Sequence, residues 1–241
     1  MRPVLIVVGA DKGGVGKTTV CRALLDYLDE KKITSIRVFD TQRGGDLQKY
    51  RLGVEVVDIS SIDDQMRVFD GVEDYQATVI DICAGQLSPS LAMLESGGLL
   101  RDVGTGVLRM LMLHVIGSSI ASMEEIGEVV AVIGGGAVRH LLVKNHYNDA
   151  KFRAALDPKY AGVLAAAARS TIEIPLLPSQ VREEIDAQLS GYANFIKSVN
   201  LIGEPLARRN SRMLVGYAAR WLSAVWSEFD RVNLMGTFDA A

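Results

Sequence analysis

The chain has 241 residues, of which 49% are hydrophobic and 23% are charged, and its formal net charge is −3. This length is typical of one α/β domain, so we predict a single domain over residues 1–241 without a linker. The charge excludes a basic surface spread over the whole molecule. Any contact with nucleic acid must therefore come from a local patch.

Cysteine usage and hydropathy bear on the compartment. The only cysteines, Cys21 and Cys83, lie in apolar segments without metal-ligand spacing, which is typical of a reduced environment. The longest apolar runs, such as 107–116, are too short to span a bilayer, and Arg109 interrupts that run. The N-terminus leads directly into an apolar strand without a signal peptide. We expect a soluble, cytoplasmic protein without membrane contact.

A glycine-rich loop at residues 10–19 dominates the N-terminal part of the chain. It reads Ala-Asp-Lys-Gly-Gly-Val-Gly-Lys-Thr-Thr, follows the apolar run 4–8 and precedes the amphipathic stretch 20–28. Gly16, Lys17 and Thr18 complete the pattern G-x-x-x-x-G-K-[ST], with Ala10 or Asp11 at its first position. The order predicts a strand, a phosphate loop and a helix.

The residue types of this loop suit a nucleoside triphosphate with Mg²⁺. Glycines let backbone N–H groups turn inward around a polyanion, and the start of the helix adds further N–H donors. Lys17 would reach the β- and γ-phosphates, and the Thr18 hydroxyl would ligate Mg²⁺. The predicted nucleotide contacts in the loop are Asp11, Lys12, Gly13, Gly14, Val15, Gly16, Lys17, Thr18 and Thr19.

A second lysine in the loop, Lys12, distinguishes it from an ordinary phosphate loop. The octet Lys-Gly-Gly-Val-Gly-Lys-Thr-Thr over 12–19 resembles the deviant Walker A motif of the ParA/MinD group of P-loop ATPases, which includes partition proteins and cell-division positioning proteins. In that group the first lysine reaches the phosphates of the partner's nucleotide. The resemblance implies ATP and Mg²⁺ as cofactors, a homodimer formed on ATP binding, and catalytic roles for Lys12 and Lys17. The alternative is a solvent-exposed loop lysine.

The next predicted strand, Ile36–Asp40, ends in a polar loop over 41–46. Loops at the carboxyl ends of parallel strands line the ligand crevice, so Asp40 is expected near the phosphates. The stretch resembles the group's switch I, commonly Asp-x-Asp-Pro-Gln, with Asp40 and Gln42 at matching positions, and Val38 and Thr41 at departing ones. That match implies that Asp40 orients the attacking water and contributes to the metal site. The alternative is a cap at the strand end.

A third carboxylate follows at the end of a buried strand. After a predicted strand over 54–59 and a helix over 61–69, residues 77–81 form an apolar run that ends in Asp81. Such an aspartate can hold the hydration shell of Mg²⁺, as a Walker B residue does. By the same resemblance Gly85 would approach the γ-phosphate, although the usual Thr-Pro-Pro-Gly is here Ile-Cys-Ala-Gly.

The middle of the chain carries few chemical signals. We predict a helix over 87–100, a central strand over 107–116, and a helix that opens with a capping box at Ser122 and Glu125 and runs to about residue 133. His114 lies inside the apolar run and is interpreted as a core histidine. His140 and His146 have no partner at metal spacing, so no metal site built from protein ligands alone is predicted.

Two later segments concern the nucleotide base. The predicted strand 138–144 ends at Asn145, which by the resemblance would recognise the adenine edge through its amide. The alternative is an asparagine that stabilises a turn. A short strand over 171–175 leads into Pro175, whose loop resembles the one that packs over the base. A helix is then expected from Ser179 or Gln180 to about residue 189.

The C-terminal part has a helical apolar period over about 204–229 that predicts a helix packed on the domain. No acidic residue lies between Leu206 and Ser227, so its basic residues form a cluster. A solvated face is one interpretation. By the resemblance, which includes partition proteins that coat DNA, the other is nonspecific DNA binding through Arg208, Arg209, Arg212 and Arg220.

Together these features predict an α/β fold with a doubly wound, mainly parallel sheet flanked by helices, as in P-loop NTPases. The expected function is a ParA-like ATPase that partitions or positions DNA or another cargo, with a partner protein that stimulates hydrolysis. The alternatives are a small-molecule enzyme of the dethiobiotin synthetase type and a metal-centre maturation ATPase. The last would use Cys83 across a dimer axis.

Overall fold

Parallel strands form the centre of the structure. The computed structural model describes residues 2–10, 12–117, 126–127, 129, 138–147, 152, 158, 162, 170–198 and 211–238. The strands are β1 (Val4–Gly9), β2 (Ile36–Asp40), β3 (Val54–Val56), β4 (Ala77–Asp81), β5 (Arg109–Ile116), β6 (Val138–Asn145) and β7 (Ser170–Ile174). All neighbours pair in parallel, in the spatial order β3-β2-β4-β1-β5-β6-β7. The predicted parallel sheet is confirmed.

Helices cover both faces of this sheet. Those within the described residues are α1 (Lys17–Glu30), α2 (Ile62–Phe69), α3 (Leu87–Ser96), α4 (Leu99–Thr105), α5 (Ser179–Ala187), α6 (Tyr192–Lys197) and α7 (Arg212–Arg231). Successive side chains of a strand point to opposite faces. Val4, Ile6 and Val8 join the apolar cluster of α1, α5, α6 and α7, whereas Leu5 and Val7 join that of α2, α3 and α4. The architecture is the doubly wound α/β fold.

The sheet brings the predicted site residues to one edge. Because all strands are parallel, the loops after β1, β2, β4 and β6 open on the same side. Asp40 and Asp81 end β2 and β4 and are register partners, and Asp81 also pairs with Val8 of β1. Asn145 ends β6, two strands away from β1 on the other side.

Several predicted boundaries differ from the observed ones. The strand expected over 54–59 ends at Val56, because the chain turns at Asp58, whose N–H donates to the Asp64 carboxylate of α2 at 2.6 Å. The single helix expected over 87–100 is divided into α3 and α4 at Gly98, which has φ +82°. The short helix α6 was not predicted. The capping box at Ser122 and Glu125 lies outside the described residues.

Helix α7 packs on the body of the fold, although residues 204–210 of the predicted helix lie outside the described part. The indole N–H of Trp221 donates to the Pro175 carbonyl at 2.7 Å, which joins α7 to the loop after β7. The Phe229 ring meets the edge of Tyr27 on α1 at a centroid distance of 5.2 Å. Helix α7 therefore connects α1 with the loop predicted to lie over the base.

A histidine pair lies in the core between β5 and β6. The Nε2 atom of His114 is 2.9 Å from Nδ1 of His140, and the stacked rings are buried. Burial, with a smaller contribution from His140, lowers the pKa of His114 to about 3. The His114 ring is therefore neutral near pH 7, and its Nε2 shares a single hydrogen bond with Nδ1 of His140. The interpretation of His114 as a core histidine agrees with this position.

Acid should destabilise the fold through this pair. The pKa of His114 is lowered in the folded state, so its stabilising contribution is present above the unfolded value of about 6.5 and is lost as the pH falls towards about 3. Over that window we expect about 1.4 kcal/mol less stability per pH unit. Urea unfolding of wild type and His114→Gln at pH 5, 6 and 7 measures the difference between the two slopes. Parallel pH profiles would contradict the assignment.

Candidate nucleotide-binding site

The loop between β1 and α1 has the backbone shape of an anion cradle. Gly14 and Gly16 have φ of +74° and +81°, which few other residues adopt. A Cβ atom on Gly16 would lie 2.3 Å from the Asn145 amide nitrogen, so this position has no room for a side chain. Asp11, also predicted to contact nucleotide, lies outside the described residues.

Cationic groups and helix N–H groups surround this loop. Helix α1 begins at Lys17, and its N-cap residue is Gly16, which has no side chain to cap the helix. Helix N-termini of this kind are suited to bind anions. The Lys17 ammonium donates to the Lys12 carbonyl at 3.3 Å, which folds the side chain back across the loop. The Lys12 side chain itself is exposed. The two lysines thus occupy different environments, one within the loop and one at the surface.

Thr18 and Asp81 join the loop to the end of β4. The Thr18 hydroxyl donates to Asp81 Oδ2 at 2.9 Å. The other carboxylate oxygen, Oδ1, is buried and has no hydrogen-bond partner among the described residues. A buried acceptor without a partner costs about 1–3 kcal/mol, more when charged. This oxygen is free to accept a hydrogen bond or to ligate a cation.

Electrostatics support the same conclusion. Burial, with a smaller contribution from the neighbouring Asp40, raises the pKa of Asp81 to about 7, while the Thr18 hydrogen bond and Lys17 act in the opposite direction. Burial also raises the pKa of Asp40. A divalent cation would offset the electrostatic repulsion between these adjacent carboxylates. Hydroxyl and carboxylate oxygens are the donors that Mg²⁺ prefers, so Thr18 and Asp81 fit a magnesium site.

Asp40 is engaged in its own loop. Its two carboxylate oxygens accept the N–H groups of Gln42 at 2.9 Å and Leu47 at 3.0 Å, and the side chain is buried. These bonds agree with the alternative of a cap at the strand end. A role in orienting water or ligating the metal stays a prediction.

Thr41, which was not among the predicted site residues, joins the loops after β2 and β4. Its N–H donates to the Asp81 carbonyl at 3.1 Å, and its hydroxyl accepts the Cys83 N–H at 2.8 Å. The proline usual at this position in the ParA/MinD group has neither the N–H nor the hydroxyl. The departure from the group's pattern was the signal that a different contact exists here.

The loop after β4 also approaches the phosphate loop. A Cβ atom on Gly13 would lie 3.8 Å from the Cβ of Ala84, so the loops are in van der Waals range. The next residue, Gly85, has φ +77°. Its backbone conformation therefore favours glycine, and its predicted contact with phosphate stays a prediction.

Asn145 lies against the phosphate loop. Its amide nitrogen donates to the carbonyls of Val15 at 3.0 Å and Gly16 at 3.2 Å, and the side chain is buried. The structure therefore shows Asn145 holding the loop, and its predicted contact with adenine remains untested. Pro175, also predicted near the base, accepts the Trp221 hydrogen bond described above.

Of the predicted DNA-binding arginines, the structure describes two. Arg212 and Arg220 are both exposed on α7, and their spacing of eight residues separates them by about 12 Å along the helix and about 80° around it. Arg208 and Arg209 lie outside the described residues. Among the described helices, none is long and apolar enough to cross a bilayer.

Other ligand chemistry has less support. The described residues contain no group of three His, Cys, Asp or Glu side chains that could hold a metal ion. Cys83 is partly buried and Cys21 is buried, and neither forms a disulfide. Any metal held by Cys83 would therefore need ligands from elsewhere.

Solved structures of several known proteins are similar to this chain. The chain is similar to an Archaeoglobus fulgidus nucleotide-binding protein solved in complex with ADP, at 17% identity and TM-score 0.48 over 77% of this chain and 87% of that one. It is also similar to the MinD cell division protein of Aquifex aeolicus, at 10% identity and TM-score 0.48 over 92% of this chain and 98% of that one. A plasmid partition protein from Borrelia burgdorferi is similar at 13% identity and TM-score 0.41 over 77% of this chain and 96% of that one. No curated protein matches the sequence.

A family model described as the CobQ/CobB/MinD/ParA nucleotide-binding domain matches residues 6–192, more than half of the chain. The match spans the phosphate loop, Asp40, Asp81 and Asn145 and confirms the resemblance noted in the sequence. The chain belongs to the CobQ/CobB/MinD/ParA nucleotide-binding family.

Proposed function

We propose that this protein is an ATPase whose ATP-bound form dimerises and whose slow hydrolysis acts as a switch to partition or position DNA or another cargo. The observation that carries the proposal is the Thr18–Asp81 pair beside Lys17 at the start of α1. It combines an anion cradle with a buried carboxylate oxygen that has no hydrogen-bond partner within the described part of the chain. That combination suits a triphosphate together with Mg²⁺ better than a simple anion.

The loop residues bind and orient the triphosphate. The backbone N–H groups of the loop and the first turn of α1 receive the phosphate oxygens. Lys17 exchanges the Lys12 carbonyl for a phosphate, which replaces a neutral acceptor with a charged one and strengthens its hydrogen bond. Asn145 keeps the loop carbonyls of Val15 and Gly16 turned away from the anion.

Thr18 and Asp81 hold the cation side of the site. The Thr18 hydroxyl donates a hydrogen bond to Asp81, so the lone pairs of its oxygen can face a metal. When bound, Mg²⁺ neutralises charge on the phosphates and favours the ionised form of Asp81. Asp40 orients the attacking water with the lone pairs left over from its bonds to Gln42 and Leu47.

Lys12 acts on the nucleotide of a second copy in this proposal. Lys12→Ala should bind nucleotide nearly as wild type does, because Lys17 and the loop remain, but it should stay monomeric with ATP. Light scattering with a non-hydrolysable ATP analogue measures the dimer directly. Lys197→Ala, which removes another exposed lysine at the end of α6, is the matched control. Normal dimerisation of Lys12→Ala would refute the model.

DNA is the proposed binding partner of the dimer. Dimerisation doubles the arginine cluster, and each neutralised phosphate contributes about −0.9 to the slope of log affinity against log salt. Arg209→Glu with Arg212→Glu should weaken duplex binding equally for all sequences and flatten that slope. Arg101→Glu on the opposite face is the control. Equal anisotropy titrations at every salt concentration would leave the arginines as a solvated face and favour a protein partner.

A further inference from the structure

Helix α2 exposes an apolar stripe. Ile62, Met66 and Phe69 follow the spacing i, i+4, i+7, which places them on one side of the helix. Ile62 is 71% exposed and Met66 is 53% exposed, while Val68 on the other side is buried in the core. Ile62 and Met66 therefore have no cover among the described residues, whereas Phe69, at the end of the stripe, is half-buried against the core.

This stripe forms one wall of a groove. Met93 of α3 and Leu99 of α4 line the opposite wall, and the groove has a volume of about 650 Å³. Phe69, Leu99 and the neighbouring Leu100 pack against the apolar cluster below. The groove thus has an apolar floor continuous with the core, and its volume is that of a ligand-sized cleft.

The rim of the groove is acidic. Asp70, Glu73 and Asp102 line it and are exposed, whereas no lysine or arginine is among the described residues that do so. None of the three carboxylates forms an ion pair with another described residue. Arg67 of α2 pairs with Asp64 and lies near Glu55 instead. The Arg37 guanidinium donates to the Asp70 backbone carbonyl at 3.4 Å from outside the groove lining. The charged side chains that line the rim are therefore all negative.

We propose that this groove, which we call the α2 groove, is a docking site for a basic amphipathic helix of a partner protein. The apolar floor accepts side chains spaced at i, i+4 and i+7, as in other helix-in-groove complexes. The acidic rim selects lysines or arginines beside those anchors. It also repels nucleic acid and anionic membrane surfaces. Helix α2 is about 12 Å long, which matches roughly two turns of a partner helix.

The site is separate from the nucleotide site. Its lining residues belong to α2, α3, α4 and the turn after α2, on the face of the sheet opposite α1. Substitutions at exposed groove positions are therefore expected to leave nucleotide binding unchanged. The inference stands whether or not the protein is a ParA-like ATPase.

The test uses a fluorescent 18-residue peptide of leucine and lysine with leucines at i, i+3, i+4 and i+7. We expect it to bind wild type in anisotropy titrations without nucleotide. Ile62→Ser with Met66→Ser should weaken binding about tenfold or more, as loss of central apolar anchors does. Leu52→Ser, which removes a leucine that is 97% exposed outside the groove, is the matched control and should bind normally.

Two variants with the same net charge distinguish attraction by the acidic rim from attraction by the net charge of the whole protein. Asp70→Asn with Glu73→Gln should weaken binding and reduce its salt dependence, whereas Glu30→Gln with Glu183→Gln, the same change in net charge elsewhere, should have less than a twofold effect. Two peptide controls are used: the same composition scrambled to remove the amphipathic pattern, and a leucine–glutamate version. Both should bind at least about tenfold more weakly.

Several results would overturn the inference. They are absence of peptide binding, equal binding of the scrambled peptide, and equal effects of groove and control variants. Sizing of the free protein tests whether a second copy of this chain occupies the groove. If wild type self-associates and Ile62→Ser with Met66→Ser abolishes that association, the groove is an interface between copies of this chain instead.

Discussion

Asp81→Asn should stabilise the nucleotide-free protein near neutral pH and nearly abolish magnesium-dependent hydrolysis. The buried Asp81 carboxylate has a pKa raised to about 7 from an unfolded value of 3.8. Protonated Asp81 therefore favours the folded protein at low pH, and the free energy of unfolding falls as the pH rises from about 4 through 7. A shift of this size corresponds to a destabilisation of the folded protein by about 4 kcal/mol when Asp81 is ionised. Asparagine removes this destabilisation, but its unpaired buried amide costs about 1–3 kcal/mol of the gain.

The functional loss has a separate cause. An asparagine keeps an acceptor for the Thr18 hydroxyl but removes the charge that would hold the cation. We expect hydrolysis to fall by about 10²-fold or more, as when a group that stabilises transition-state charge is removed.

Two measurements check this prediction together. Urea unfolding at pH 6, 7 and 8 with chelator should show that the gain in stability of Asp81→Asn increases with pH. Turnover with Mg²⁺ should collapse in the same protein. Asp63→Asn, an exposed aspartate of α2, controls for the change in net charge. A variant less stable than wild type at pH 8, or one with normal turnover, would contradict the assignment of Asp81.

Lys17→Ala should bind ATP at least about 100-fold more weakly, a loss of about 3 kcal/mol. The ammonium group is held above the loop by the Lys12 carbonyl, so it is positioned before a phosphate arrives. Its removal should not unfold the protein. Alanine has a high helix propensity, and a cation at the first position of α1 opposes the helix dipole.

Calorimetry of nucleotide binding and urea unfolding separate these two effects. Lys17→Ala should lose affinity while keeping or slightly gaining stability, whereas Lys12→Ala should keep the affinity of the monomer. This contrast between two lysines in one loop is the control. Similar affinities of Lys17→Ala and wild type would remove Lys17 from the phosphate site.

The strands that form the site were predictable because their signals are local. Short runs of mostly apolar or β-branched residues that end in an aspartate define β2 and β4, so Asp40 and Asp81 were placed at the ends of their strands. The glycines and Lys17 likewise marked the loop and the first residue of α1. The family was predictable from the same octet and is confirmed by the match over residues 6–192.

Contacts between distant segments were not predictable. Asn145 and Val15 are 130 positions apart, and no local pattern shows that the amide reaches the loop carbonyls. The Thr41 hydroxyl and the Cys83 N–H meet only because β2 and β4 are neighbours. The α2 groove depends in the same way on how α2 meets α3 and α4, while the sequence pattern describes only the faces of each helix.

The position of β1 in the sheet also has a consequence for biosynthesis. This strand comes early in the chain, yet Val4 pairs with Ala77 and Arg109, which are 73 and 105 positions later. At synthesis rates of about 5–20 residues per second, β1 waits about 5–20 s for its second neighbour. During that time a wholly apolar strand with two unpaired edges is open to aggregation. The segment that leads into the phosphate loop is thus one that a nascent chain must keep shielded, for instance by a ribosome-associated chaperone.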